Sequence, residues 1–161
     1  MSYRIGNGID FHQLREGREF WLGGIRIPGS KGALGHSDAD VLIHAICDAL
    51  LGALNLGDIG MHFPDTDPAY KDIDSKKLLQ QVFSLVKKKR YHVVNLDSTI
   101  CLQAPRIEAH TGDMRRIIAD LLETAVDNIS IKATTTEHMG FVGRGEGIAA
   151  YATVLLEQIP H

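Results

Sequence analysis

The chain has 161 residues, 44% hydrophobic and 23% charged, with a formal net charge of -3 and a pI near 6.2. That size suits one compact domain over residues 1–161, and the mild negative charge offers no basic field for nucleic acid or an anionic membrane surface. The first dozen residues lack a charged-then-apolar leader pattern, and no apolar run approaches the ~20 residues of a membrane span, so a soluble, cytoplasmic protein is expected.

Residues 4–14, RIGNGIDFHQL, read as a strand with Ile5, Ile9 and Phe11 on one face and Gly6, Gly8, Asp10 and His12 on the other. Burying an acid or an imidazole without a partner is costly, so something must sit opposite that pair. EFWLGGIRIPG reads as a hairpin, and KGALGH as a glycine-broken loop. SDADVLIHAICDALLGALNLG has a helix start at Ser37 or Asp38 and a stop at Gly57. It is apolar nearly all round, the mark of a buried helix, so His44 is a second unexpected polar group.

Residues 57–74, GDIGMHFPDTDPAYKDID, are too long and too rich in Gly, Pro and Asp for a simple connector, and belong with loops that carry function. SKKLLQQVFSLVKKKR repeats apolar residues at helical spacing and ends in four cations, a solvated helix terminus. HVVNLDSTICLQA reads as a strand and IEAHTGDMRRIIADLLETA as an amphipathic helix. The remainder gives two strands around a glycine-rich link. The order β, hairpin, α, α, β, α, β, β predicts an α+β fold, a mixed sheet with helices packed on one face. The last strand is apolar on both faces, which asks for cover on the side away from the helices, another copy of the chain being one candidate. Cys47 and Cys101 have no CxxC spacing and read as core thiols.

One metal ion accounts for Asp10, His12 and His44 together. Zinc takes imidazole nitrogen and carboxylate oxygen in a tetrahedral shell, and three protein ligands leave a position for water or substrate. Asp48, one turn after His44, is placed to orient a ligand imidazole. Spacing alone equally allows two ordinary hydrogen-bonded histidines. In KATTTE, residues 132–137, the hydroxyls of Thr134, Thr135 and Thr136 and the carboxylate of Glu137 suit phosphoryl oxygens and a hard cation such as magnesium; a run of strand-forming threonines is the alternative. GRGEG precedes a strand and lacks GxGxxG spacing, which rejects a dinucleotide fold. His36 and Ser37 sit at the helix start, where free N–H groups attract anions, or where Ser37 simply caps beside an idle histidine. His92 and His110 read as surface groups and His161 as a terminal one; His62 and His138 gain interest only from their loops.

Taken together, DFH, HSDADVLIHA, LGDIG, FPDTDP, QAPRI, KATTTE and GFVGRGEG, in this order from residue 10 to 147, resemble the family of 2-C-methyl-D-erythritol 2,4-cyclodiphosphate synthases. The resemblance implies a metal-dependent phosphorus-oxygen lyase of the non-mevalonate isoprenoid pathway, which cyclises 4-diphosphocytidyl-2-C-methyl-D-erythritol 2-phosphate and releases CMP; without an N-terminal cytidylyltransferase domain, a monofunctional protein is expected. It implies a homotrimer, the sheets of three subunits packed together and the active sites between neighbours. It places one Zn2+ per site on Asp10, His12 and His44, and Mg2+ or Mn2+ on Glu137 with the substrate diphosphate. His36 and Thr135 fall on the groups that stabilise the transition state, with Ser37, Thr134 and Thr136 among the substrate contacts. Asp58, Ile59 and Gly60 fall on the ribose site, and Phe63, Pro64, Asp65, Thr66 and Asp67 on the loop around methylerythritol. Leu102, Gln103, Ala104, Pro105, Arg106, Ile107 and Glu108 fall on the cytosine pocket, read mostly by backbone. Phe141 and Arg144 fall beside an apolar channel on the threefold axis that takes isoprenoid diphosphates. Two rival functions share these residues: zinc-dependent hydrolysis of a nucleoside diphosphate ester, and a trimeric isoprenoid-diphosphate-binding module without turnover.

Overall fold

The computed structural model describes residues 2–160, so the reading of His161 lies outside the described residues. Strand β1 (Tyr3–Glu16) pairs antiparallel with the last strand, Gly147–Gln158, in the register Tyr3 to Glu157 and Gln13 to Gly147. In chain order the others are β2 (Phe20–Leu22), β3 (Ile25–Ile27), β4 (Lys31–Leu34), β5 (Tyr91–Cys101) and β6 (Ile129–Thr134), which makes Gly147–Gln158 β7. The main sheet runs β4-β1-β7-β5-β6, antiparallel except for the β5–β6 pair; β2 and β3 form a separate hairpin. This is the mixed α+β sheet that the element order predicts.

Glycine decides which face of β1 meets the helices. Helix α1 (Val41–Ala53) lies across β1 and β7. A Cβ on Gly6 would stand 1.9 Å from the carbonyl oxygen of Ala49, and one on Gly8 1.9 Å from that of Ala45, so strand and helix touch backbone to backbone. Along α1 only His44 and Asp48 are half-buried and Gly52 is exposed; every other residue is buried. Helices α3 (Ser75–Lys88) and α4 (Thr111–Leu121) cover β5 and β6. None of the described helices is long and apolar enough to cross a membrane. The opposite face of the sheet leaves Ile5 72%, Phe11 53% and Tyr151 39% exposed, so among the described residues the side away from the helices is largely uncovered.

Helix α1 starts later than the expected Ser37 or Asp38. Ala39 has φ 57, outside the helical region, and Asp40 is the N-cap. The Asp40 carboxylate accepts from the Ile43 amide at 3.1 Å and from the hairpin amides of Gly23 and Gly24 at 2.9 and 2.7 Å, which fastens the hairpin to the helix. The helix also ends before Gly57: Asn55, at φ 54, supplies the left-handed residue. The segment 57–74 folds into the short helix α2 (Ile59–His62) and a 3-10 turn at Pro68–Tyr70. KGALGH is not a loop, because Lys31–Leu34 pairs with β1; its Gly32 serves close packing, with a Cβ there 2.0 Å from the Glu19 oxygen. The helix expected over 107–125 is shorter, a 3-10 turn at Glu108–His110 leading into α4. In the glycine-rich link, Gly140–Gly143 forms one turn, α5. Cys47 is buried as expected, whereas Cys101 is only half-buried.

Gly8→Ala is expected to destabilise the fold beyond the ~1–3 kcal/mol of ordinary overpacking, because the atom it meets is helix backbone. Urea unfolding measures this, and an unchanged midpoint would show that strand and helix can separate freely.

Candidate metal centre and adjoining cavities

Two residues of strand advance about 6.7 Å and four residues of helix about 6 Å, so β1 and α1, running in opposite directions, stay in step. Gly6 faces Ala49 and Ala53, and Gly8 faces Ala45 and Ala49. The next step brings Asp10 and His12 to His44.

Three donor atoms converge there. Asp10 Oδ2 lies 2.9 Å from His12 Nε2 and 3.2 Å from His44 Nδ1, and the two nitrogens are 3.2 Å apart. A tetrahedral ion with ligand bonds of ~2.0 Å needs edges of about 3.3 Å, so the cluster fits one small cation. His12 Nδ1 is 2.9 Å from the Leu34 carbonyl, which can only accept; Nδ1 therefore carries the proton and Nε2 turns its lone pair to the cluster. Gly35 makes room for that ring, since a Cβ there would stand 3.0 Å from His12 Cε1. His44 Nε2, on the far side of its ring, is 3.1 Å from Ser37 Oγ and 3.0 Å from Ser75 Oγ. Burial pushes the Asp10 carboxyl up, but the imidazoles of His12 and His44 beside it outweigh this and hold the group well below the usual carboxylate range. Burial likewise pushes His12 down, and the Asp10 carboxylate beside it more than reverses this.

Asp48 does something other than orient a ligand imidazole. Its Oδ1 accepts from the Ile59 amide at 2.8 Å and so anchors the start of α2. Burial, with the charges of Asp58 and Asp10, pushes its carboxyl up.

The cluster opens into a cavity of about 360 Å³. Of the residues singled out in sequence, His36, Ser37, Ile59, Gly60, Phe63 and Asp65 line it with the triad. Tyr70, Ile73 and Leu78 join them without any local sequence signal, Tyr70 meeting Phe63 edge-on at 5.3 Å. His36 Nε2 is buried with no hydrogen-bond partner among the described residues. Asp58 and Asp67 cap α2 and the 3-10 turn through Met61 and Ala69, and Pro64 and Thr66 stand exposed on the same segment.

A second cavity, about 510 Å³, is lined by Leu102, Gln103, Pro105, Arg106, Ile107 and Glu108, with Thr134 and Thr135 on its β6 side. Thr111, Ile131 and Ala133, not singled out in sequence, complete it. Ala104 instead faces a neighbouring cavity of about 380 Å³ with Lys31 and Arg144. The first and second cavities share no lining residue, so His36 and Thr135 stand in different ones. Thr136 bonds the Met139 carbonyl at 2.6 Å, and Glu137, at φ 51, is exposed and lines neither cavity. Phe141 packs on Phe11 with ring centroids 6.1 Å apart, and Arg144 is paired with both oxygens of Glu146 at 2.9 and 3.0 Å.

Fold and cluster define an α+β protein with three donor atoms that could hold a metal ion, opening into a cavity. The model of the YgbB family matches residues 3–157, and the chain belongs to that family. Relatives include the 2-C-methyl-D-erythritol 2,4-cyclodiphosphate synthase of Bacteroides fragilis, 56% identical over 99% of this chain and 100% of that protein. The synthase of the same name from Bacillus cytotoxicus is 58% identical over 97% of this chain and 99% of its own. Among solved structures, the bifunctional IspDF of Campylobacter jejuni superposes with a TM-score of 0.94 at 39% identity, covering 98% of this chain, which spans 43% of that longer protein. The CDP complex of Plasmodium falciparum IspF gives 0.87 at 32% identity over 99% and 98% of the two chains.

In Asp48→Ala, exchange of the Ile59 amide is expected to quicken by about tenfold, the loss of one hydrogen bond worth ~1–1.5 kcal/mol. Hydrogen exchange followed by NMR reads this; unchanged protection would mean that another contact holds the loop.

Proposed function

We propose that the chain converts 4-diphosphocytidyl-2-C-methyl-D-erythritol 2-phosphate to 2-C-methyl-D-erythritol 2,4-cyclodiphosphate in the cytoplasm, as a lyase of the non-mevalonate isoprenoid pathway. One observation carries this reading: the Asp10, His12 and His44 donors form a tetrahedron-sized cradle in a chain 56–58% identical, over nearly its full length, to proteins named for that synthase. An oxygen of the substrate's 2-phosphate bonds to the β-phosphorus as the bond from that phosphorus to the oxygen bridging to the α-phosphate breaks, and CMP leaves with the electron pair on that oxygen. Nucleophile and electrophile belong to one molecule, so the protein has to fold the substrate and meet its charge, and no protein nucleophile is required.

Asp10, His12 and His44 are the residues to hold zinc, and Glu137 is the one to hold magnesium or manganese with the diphosphate. Such ions, when bound, supply Lewis-acid polarisation of phosphoryl oxygens and neutralise their charge. His36, whose partnerless Nε2 is on the wall of the metal cavity, donates to a phosphoryl oxygen. Thr135 Oγ1 accepts from the Glu137 amide at 3.2 Å and keeps its own proton for a second one. Ser37 touches phosphate, flanked in role by Thr134 and Thr136. Asp58, Ile59 and Gly60 receive the ribose, residues 63–67 the methylerythritol, and residues 102–108 the cytosine. Residues 1–161 act as one synthase domain.

A homotrimer joins what one chain keeps apart. His36 and Thr135 stand in cavities with no common wall, and the sheet face bearing Ile5, Ile9, Phe11 and Tyr151, with Phe141 of α5 beside it, is exposed. Three chains packed by that face, the metal cavity of one against the nucleotide cavity of the next, complete each site; an isoprenoid diphosphate fits the axis beside Phe141 and Arg144.

Phosphorus NMR of protein, substrate, zinc and magnesium is expected to show two coupled signals of a cyclic diphosphate with equimolar CMP, abolished by a chelator. A linear methylerythritol phosphate would establish hydrolysis instead, and intact substrate on folded, zinc-loaded protein a binding module. His36→Ala and Thr135→Ala are each expected to lower kcat by about 10²–10³-fold, the cost of one lost transition-state donor, in a coupled CMP-release assay. Sedimentation velocity is expected to give the mass of three chains, and Phe11→Asp to give a folded single chain without turnover.

A further inference from the structure

We propose that Asp38 and Ser75 set the tautomer of His44, with Ser75 the positioning residue that turns the Nδ1 lone pair of this imidazole into the cradle. The inference rests on the metal reading above and adds to it two residues from segments outside the triad.

A carboxylate only accepts hydrogen bonds. Asp38 takes the Ser75 amide on Oδ2 at 2.9 Å, the Asp40 amide on Oδ1 at 3.2 Å, and on Oδ1 also the Ser75 hydroxyl. A serine hydroxyl has one proton, and here Asp38 holds it. Ser75 Oγ, 3.0 Å from His44 Nε2, is therefore left to accept, so the proton of the ring sits on Nε2. Nδ1 then carries the lone pair, at 3.2 Å from both Asp10 Oδ2 and His12 Nε2. Ser75 is fully buried, so no bulk water competes for its oxygen.

Ser37 Oγ also lies near Nε2, at 3.1 Å, and accepts from the Ala39 amide at 3.2 Å, but no carboxylate ties its proton; its hydroxyl can turn either way. Ser75 is the neighbour whose direction is forced. Its place is forced too: the Asp38 amide donates to the Ile73 carbonyl at 3.1 Å and the Asp72 amide to the His36 carbonyl at 2.8 Å, zipping the loop before α1 to the approach of α3. The cap of α3 comes from Asp74, which bonds the Lys76 amide, so the Ser75 hydroxyl can be removed without uncapping the helix.

The test uses the full chain, stripped of metal and titrated with zinc against a chromophoric chelator. Ser75→Ala is expected to bind zinc about 10–100-fold more weakly than the parent, the usual loss when the partner of a ligand imidazole is removed. Asp38→Asn, which keeps the hydroxyl but lacks one acceptor oxygen, is expected to lose affinity in the same direction. In the zinc-loaded parent, NMR is expected to show an exchange-protected proton on His44 Nε2 that disappears in Ser75→Ala, a signature that general loosening of the fold would not single out. Circular dichroism and thermal unfolding check that both variants fold. Parent affinity in folded Ser75→Ala, with the Nε2 proton still protected, would overturn the proposal and leave the metal reading standing. A folded parent chain that takes up no zinc would overturn the metal reading, and the proposal with it.

Discussion

The contact between β1 and α1 is one of main chain against main chain, and the convergence of Asp10, His12 and His44 depends on it. At Gly6 and Gly8 the helix carbonyls occupy the space of a side chain, with Cβ positions only 1.9 Å away. Such proximity leaves no slack for a sliding register: a strand that shifted by one residue would drive Ile5 or Ile9 into the helix. Two residues further on, the same register brings Asp10 and His12 against His44, a residue from a different element and 32 positions from His12. The donor geometry is a product of backbone packing before any ion is considered. Rigid elements, rather than loops, hold all three donors, which is what close site geometry demands.

Helix α1 then serves two sides of the site from successive turns. His44 faces the cradle, and Asp48, four residues on, grips the amide of Ile59. The carboxylate of Asp10 is held in its charged form by the two imidazoles, whereas burial and neighbouring acids work against the charge on Asp48. Two half-buried acids in the same region thus face opposite fields: one placed for a cation, the other for a main-chain hydrogen bond. The partnerless Nε2 of His36 fits this division, because a buried polar atom without a partner is costly unless a ligand satisfies it.

Much of this was legible in the sequence through period and chemistry. Alternation along residues 4–14 put Asp10 and His12 on one face, and a buried His44 required a partner, so polarity singled out the three residues; spacing left open whether they meet around an ion or as ordinary hydrogen-bonded groups. The same alternation was ambiguous about orientation. Bulky Ile5, Ile9 and Phe11 look like the core face, yet the glycine face is the one packed on α1, because what β1 needed there was the absence of side chains. Asp48 was placed correctly on the helix and given the wrong partner, since i, i+4 spacing does not say which segment folds back over a turn. Glycine misled at KGALGH, where Gly32 permits close approach inside a strand pair. Ser75 and Tyr70 had no signal at all: their contacts with residues 44 and 63 come from the path of segment 57–74, which no local pattern encodes.

Asp40 shows how a separate part of the chain was joined to this framework. Its side chain is wholly buried, and every donor reaching it, from Gly23, Gly24 and Ile43, is a main-chain amide. Main-chain donors are common to nearly all residue types, so the side chains of the hairpin are under little obligation to the helix start. Arg26, exposed on β3, can be exchanged by an engineer for new surface chemistry while the joint itself endures. The acceptor has no such freedom: a buried group that must take three amides has few replacements.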